Sequence, residues 1–276
     1  MKLTIITICY NNLIGLQKTI ASIINQSSKD FQYIIIDGAS NDGTPQYLSR
    51  IDFSPINHLI ISEKDTGIYN AMNKGIKLSK GNYLLFLNSG DCLYDNDVVL
   101  KFNSNKITAD IISGHTICEN NGNFSHNWFA PDRITCNTFY SGSICHQSTF
   151  MKRTLFNNNL YDEANKICSD WQFFFKELIF GHASYAQINF FISRFDTTGI
   201  SSTMDKDIVT EKNIEKRKVL ESIMPRIFLE DYDHFIGERS YAEKKMLKLR
   251  ENNSRILIIF SFIFKCWDKI FSNTLK

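Results

Sequence analysis

The chain has no C-x-x-C pair, no apolar run long enough to span a bilayer, and almost no net charge. Each absence excludes something. Its seven cysteines, at 9, 92, 118, 136, 145, 168 and 266, are odd in number and show no metal-ligand spacing, so reduced cytosolic thiols are expected rather than a disulfide framework or a zinc site. The greasiest run, Ile256–Phe264, has only nine residues between Arg255 and Lys265, whereas a membrane-spanning helix takes about 20. Met1-Lys2-Leu3-Thr4 passes straight into a strand pattern without a signal-peptide h-region, so secretion is not expected. No G-x-G-x-x-G follows the first strand pattern, which argues against a nicotinamide dehydrogenase.

The net charge of +2 hides an asymmetry. Residues 239–276 carry nine Lys/Arg against three Asp/Glu, leaving about −4 for everything before them. A basic tail suits nucleic acid, acidic lipid or a solvated helix. Here it flanks a greasy segment, so acidic lipid is the better reading and no nucleic-acid partner is expected. With Trp267, Ile270 and Phe271 set among Lys265 and Lys269, residues 255–276 suit an interfacial anchor on an anionic membrane surface. A C-terminal helix packed on the core is the alternative.

What is present is a repeating pattern. An apolar fraction of 43% suits a soluble globular protein, and 276 residues suit one large domain or one domain with an appendage. Strand patterns at 3–8, 31–36, 59–61 and 83–87 alternate with helical patterns at 13–26, 44–50 and 68–78. Near-continuous apolar strands between helices indicate an α/β fold, a mostly parallel sheet covered on both faces. Beyond it, Ala109–Ser113 suits a strand and Cys118–Phe129 a hairpin or mobile loop. Trp171–Phe180 suits a helix capped by Ser169. Charged helical patterns over Glu211–Met224 and Ala242–Glu251 are separated by Pro225 and an Asp-Tyr-Asp-His turn. A boundary near residue 205 therefore divides an α/β domain, 1–205, from a helical C-terminal region, 206–276. There is no internal repeat and no low-complexity tract.

Three strands end in polar clusters: Cys9-Tyr10-Asn11-Asn12, Asp37 through Gly43, and Asn88-Ser89-Gly90-Asp91. Carboxylates at the rim of an open α/β sheet lie where such folds bind ligands. Asp91 beside a glycine suits Mg²⁺ or Mn²⁺ bridging a diphosphate, and Asp37 before Gly38 leaves room for a nucleoside. Either aspartate alone equally suits an Asx turn.

Taken together, these landmarks resemble the family 2 glycosyltransferases of GT-A fold over roughly residues 1–200. The matching stretches are Thr4–Asn11, Ile36–Thr44, Glu63–Gly75, Gly81–Asp91 and Ser169-Asp170-Trp171. The segment Gly67–Ile76 is similar to a branch found in bacterial surface-polysaccharide (lipopolysaccharide or capsule) assembly. The resemblance implies a nucleotide-diphosphate-sugar donor, with Thr7, Tyr10, Asn11 and Asp37 around the nucleoside and Asn73, Lys74 and Ser89 completing the donor site. It further implies Asp91 as the acid that holds a divalent metal, Mn²⁺ or Mg²⁺, and Asp170 as the catalytic base. His146 and Gln147 are candidates to line the acceptor pocket, with Trp171 as a sugar-stacking platform and Arg194 facing phosphate or pairing with Asp196. A cysteine nucleophile at Cys145-His146 is rejected, because neighbours on a strand face opposite sides.

Three positions depart from the family pattern. Ser89 stands where its first motif acid usually lies, Met72 where many relatives carry an arginine near the pyrophosphate, and Ser169 where an acid often precedes the base. The expected activity is an inverting transfer of a hexosyl or N-acetylhexosaminyl group to a lipid-linked saccharide acceptor, by a cytoplasmic protein peripheral on the inner membrane face. A membrane-bound nucleotide-sugar-binding partner without turnover is the alternative from another class. A sugar nucleotidyltransferase would want a glycine-rich, arginine-bearing loop where Cys9–Leu13 stands.

Overall fold

Every residue of β1 (Leu3–Cys9), β2 (Gln32–Asp37) and β4 (Tyr83–Phe86) is buried. Parallel strands covered on both faces must be apolar along their whole length, which is why these segments appear as runs rather than alternations. The computed structural model describes residues 1–199, 202 and 205–252. Between these strands run α1 (Leu13–Ile24), α2 (Thr44–Leu48), the less buried edge strand β3 (Asn57–Ser62) and α3 (Ile68–Leu78).

The sheet order is β3-β2-β1-β4, with all four strands parallel. The chain steps outward from β1 to β3, then crosses back to place β4 on the other side of β1. That reversal opens a crevice beyond the carboxyl ends of β1 and β4, the place where open α/β sheets hold ligands. Leu16, Ile20 and Ile23 of α1 are buried in the core shared with Leu3, Ile5 and Leu85. On α3, a Cβ added to Gly75 would lie 2.5 Å from Ile6 Cγ2, so only glycine lets that helix come this close to β1.

The sheet continues through β8 (Thr149–Lys152), β6 (Ile111–Asn120), β9 (Tyr185–Asp196) and the two-residue β5 (Cys92–Leu93). Here β8 runs antiparallel to β4 and β6, while β9 lies parallel to β6. The polar segment at 118–129 is a hairpin: β6 turns at Asn121-Gly122, both with positive φ, into β7 (Asn123–Trp128). Two such residues form the turn whose twist matches paired strands. The remaining helices of this part are α4 (Val98–Ser104), α5 (Cys136–Ser141) and α6 (Ser169–Phe175), the last continuing as a π-helical turn over residues 176–180.

Two expectations about helices are corrected. Ser169 is not the cap of α6 but its first residue; Cys168 is the cap, and Ser169 Oγ accepts the Asp162 N–H at 2.6 Å. Pro225 does separate two helices, α7 (Lys206–Ile223) and α8 (Arg226–Asn252), but Asp231–His234 lies inside α8. That stretch holds no proline or glycine to break a helix, and i,i+4 pairs flank it, Arg226–Glu230 at 3.0 Å and His234–Glu238 at 3.3 Å.

The chain divides into two compact units, Met1–Val219 and Leu220–Lys276. Among the described residues no helix is long and apolar enough to cross a membrane. The expected anchor, 255–276, lies outside the described residues.

Candidate active site

The β1–β4 crevice is a cleft of about 480 Å³, within the range of sites that hold small molecules. One wall is the loop after β1. Asn12 caps α1 by accepting the Gly15 N–H at 3.1 Å, and its amide donates to Ser89 Oγ at 3.2 Å across the cleft. Tyr10 lines the cleft and is 66% exposed. Asn11, in the left-handed region, ties this loop to the next rim: its N–H donates to Ser40 Oγ and its Oδ1 accepts from the Asn41 N–H, both at 2.8 Å.

Two of the expected donor residues lie beneath the surface. Thr7 donates to the Leu87 carbonyl at 2.7 Å and accepts from Tyr33 Oη at 3.0 Å, so its hydroxyl is spent inside the sheet. Asp37 is fully buried; its carboxylate accepts the Ser40 N–H and, at 2.6 Å, the Ser62 hydroxyl. It fixes the 38–40 turn from below and does not line the cleft.

On α3 the geometry corrects two more. Asn73 is buried and clamps the segment after β8, donating to Tyr161 O and Glu163 Oε1 at 2.9 Å and accepting the Tyr161 N–H at 3.0 Å. Lys74 pairs with Glu63 and donates to Lys64 O, both at 2.8 Å, so its charge is already matched away from the cleft. Met72 does face the cleft.

The opposite wall is the segment after β4. Gly90, at φ +109°, makes the turn that places Asp91 in the interior. Asp91 is 4% exposed; its Oδ1 accepts the Asp196 N–H at 3.0 Å. Burial pushes its carboxyl up to about 7, with the nearby Asp196 carboxylate adding to this, while the Asp196 N–H, His146 and Gln147 oppose it. Such a carboxyl is only partly ionised at neutral pH, and a cation beside it would favour the charged form. The adjacent Asn88 Oδ1 is buried with no hydrogen-bond partner. Asp91, Asp196 and Asn88 line the same cleft and offer oxygen donors of the kind Mn²⁺ and Mg²⁺ take; among the described residues no three His, Cys, Asp or Glu side chains converge as a metal site.

Asp170 sits in the first turn of α6 at the cleft floor. Its Oδ2 lies 2.9 Å from His146 Nδ1 and its Oδ1 accepts Tyr69 Oη at 3.0 Å. Burial alone would raise its pKa, but the hydrogen bond and charge of His146, the Trp171 N–H and Tyr69 together bring it below the usual carboxylate value. On its other side His146 Nε2 lies 3.5 Å from the Asn88 side-chain amide, so the ring bridges Asp170 and Asn88. Gln147 also lines the cleft and accepts from Cys145 Sγ at 3.0 Å. Burial pushes the Cys145 thiol up to about 12, the reverse of an activated nucleophile.

Two expected acceptor contacts are corrected. Trp171 is 3% exposed; its ring is stacked on Phe175, and its Nε1–H donates to the carbonyls of Phe139 and Gly142. It buttresses α6 instead of offering a platform. Arg194 pairs with Glu119 at 2.9 Å and lies over the Tyr94 ring, outside the cleft, and not with Asp196. Sequence reasoning passed over Tyr69, Asn88, Asp65 and Asp196 as lining residues. Asn88 and Tyr69 lay within stretches already singled out, but Asp196 reaches Asp91 across 105 positions and carries no local signal.

Known proteins resemble this chain in sequence and in fold. The PGL/p-HBAD biosynthesis glycosyltransferase of Mycobacterium bovis is 31% identical over 158 residues, 55% of this chain and 60% of its own length, so the chain spans about three fifths of that relative. Residues 1–349 of S. aureus TarS, solved with UDP-GlcNAc, superpose with a TM-score of 0.63 at 16% identity, covering 84% of this chain and 70% of that one. The Pyrobaculum calidifontis mannosyltransferase solved with GDP-Man and Mn²⁺ gives a TM-score of 0.51 at 15% identity over 71% of this chain and 57% of that one. Both structures share the fold. Residues 4–179, which hold the segments after β1 and β4 and the helix bearing Asp170, match the model of glycosyl transferase family 2, and the chain belongs to that family.

Proposed function

We propose that this chain is an inverting glycosyltransferase that moves a sugar from a nucleoside-diphosphate sugar to a hydroxyl of a lipid-linked saccharide in cell-envelope glycoconjugate assembly. The observation that carries this reading is Asp170: a carboxylate at the cleft floor, held below its usual pKa by His146 and Tyr69, in the same cleft as Asp91. Family membership and the relatives' donors and pathway support the substrate class.

In this mechanism Asp170 takes the proton of the acceptor hydroxyl as its oxygen attacks the anomeric carbon. The bond from that carbon to the diphosphate breaks, and the nucleoside diphosphate leaves from the opposite face. Such proton transfer contributes roughly 10²–10⁴-fold. Direct displacement inverts the anomeric centre and needs no enzyme nucleophile. Tyr69 and His146 hold the base ionised and aimed. Tyr10 suits stacking against the nucleobase, with Asn11, Thr7 and Asp37 shaping that end from behind; His146 and Gln147 border the acceptor side. Asp91, Asn88 and Asp196 would hold the dication, which neutralises charge on the departing diphosphate when bound.

The test is release of nucleoside diphosphate from a panel including UDP-N-acetylglucosamine, UDP-glucose and GDP-mannose, with Mn²⁺ or Mg²⁺, with and without lipid-linked acceptors. No release above background with any donor overturns the reading. Residues 255–276 are assigned to peripheral attachment at the inner face of the cytoplasmic membrane; full-length protein staying in the supernatant with anionic liposomes would remove that assignment.

A further inference from the structure

The carboxylate of Glu215, in the middle of α7, accepts three successive main-chain N–H groups: Lys166 at 2.7 Å on Oε1, and Ile167 at 3.0 Å and Cys168 at 3.1 Å on Oε2. Glu215 is 7% exposed. One turn earlier on the same helix, Glu211 pairs with Lys166 Nζ at 2.7 Å. One turn of α7 thus grips one short segment by its backbone and its side chain.

That segment stands directly before the proposed base. Lys166 and Ile167 line the cleft. Cys168 is the cap residue of α6, two positions before Asp170, and it supplies no side-chain cap of its own. A helix start leaves N–H groups without partners; here a carboxylate from another helix binds the N–H groups leading into it. Hydrogen bonds to an ionised acceptor are roughly twice as strong as neutral ones, and three converging on one buried group fix the backbone they come from.

We propose that Glu215 is a positioning residue for Asp170: it holds residues 166–168 so that the first turn of α6 presents the carboxylate to His146, Tyr69 and the acceptor hydroxyl. This rests on reading Asp170 as the base. Glu215 does not line the cleft, and the donor walls belong to other elements. Its loss therefore acts on the chemical step and spares the nucleotide. The charged and titratable groups facing Asp170 are His146, Tyr69, Tyr161, the Cys168 thiol and the Lys216 ammonium, the last lying 4.8 Å from the Trp171 ring centre. When the turn slips, the bonds from His146 and Tyr69 lengthen while burial remains, and the acid limb of the rate profile moves to higher pH.

The experiment compares wild type, E215Q, E215D and D170N as full-length proteins. It reads nucleoside diphosphate release across pH with UDP-N-acetylglucosamine and GDP-mannose as probe donors, affinity for the nucleoside diphosphate by calorimetry, and amide exchange at 166–168. Glutamine keeps the size but puts a donor among donors. The expected E215Q result is a roughly 10–100-fold lower kcat, the scale of an ångström misplacement. The acid limb should move up, nucleotide affinity should stay within about threefold, and exchange at 166–168 should speed up. E215D, whose carboxylate is withdrawn by one methylene, should fall between. Wild-type kcat and pH profile in E215Q, beside an inactive D170N, overturns the inference alone. So does a parallel loss of kcat, nucleotide affinity and melting temperature, which marks a general brace. Unprotected amides at 166–168 in the wild type overturn it without any variant. A fully active D170N instead overturns the base assignment, whatever Glu215 does.

Discussion

His146 Nδ1 stands 2.9 Å from Asp170 Oδ2, joining two segments 24 positions apart at the cleft floor. Tyr69, from a third segment, donates to the other oxygen of the same carboxylate. Each oxygen thus has one side-chain donor, with capacity left for the acceptor's proton. The arrangement keeps a half-buried acid ionised and still able to accept a proton.

Asp170→Asn keeps the size of the side chain and loses the proton acceptor. Transfer should fall by about 10²–10⁴-fold, with donor affinity changing by less than about tenfold, or roughly 1.4 kcal/mol. Steady-state rates and calorimetry on one preparation check this. Near-normal transfer would take Asp170 out of the mechanism.

The pH dependence has a defined sign. Asp170 has a lowered pKa in the folded protein, so its stabilising contribution is present above the unfolded value, about 3.9, and is lost as pH falls through the lower folded value. His146→Gln removes the side chain that does most to offset the burial of Asp170. Both the loss of stability in acid and the acid limb of the rate should therefore move to higher pH. Melting temperatures and rates measured down the acid range test this; an acid limb that does not move would separate His146 from the base.

Asp91→Asn should weaken Mn²⁺-supported binding of nucleoside diphosphate by roughly tenfold or more, the loss that even outer partners of a metal site incur. Because burial places the Asp91 carboxyl near 7, a dication competes with a proton there. Wild-type metal affinity should rise as pH climbs through 7, and that rise should vanish in the Asn variant. Calorimetric titrations at pH 6 and 8 decide it; equal affinities in both proteins would argue that Asp91 holds no metal.

Trp171→Phe should cost on the order of 1 kcal/mol through the hydrogen bonds to Phe139 and Gly142, and Trp171→Ala about 3–5 kcal/mol. In Trp171→Phe the acceptor KM should change little. A large rise in KM at an unchanged melting temperature would restore the sugar-stacking role.

The strand ends at Cys9, Asp37 and Phe86 were legible because buried parallel strands are continuous apolar runs, and the hairpin at Asn121-Gly122 because its turn demands two positive φ angles. Side-chain direction was not legible. Trp171 follows Asp170 by one position, about 100° around the helix, and so turns from the cleft into the core. Thr7, Asn73 and Lys74 sit in recognisable stretches, yet their polar atoms are taken by neighbours that only the fold brings near. Glu215 sat in a charged helical pattern assigned to a separate region, and its partners lie 47 to 49 positions away.

The bond from the Asp196 N–H to Asp91 Oδ1 closes the cleft wall with a contact 105 positions long, and β5 pairs with β9 alongside it. Contacts of such span are slow to form, because the chain must close a long loop before they reward it. The walls from β1 and β4 can dock early, but the wall around Asp91 is complete only once β9 has threaded in beside β6 and β5. A nascent chain emerging from the ribosome is therefore without its finished cleft until nearly 200 residues are out. A fragment ending at residue 179, where the family match stops, should collapse around the sheet and still bind no nucleotide.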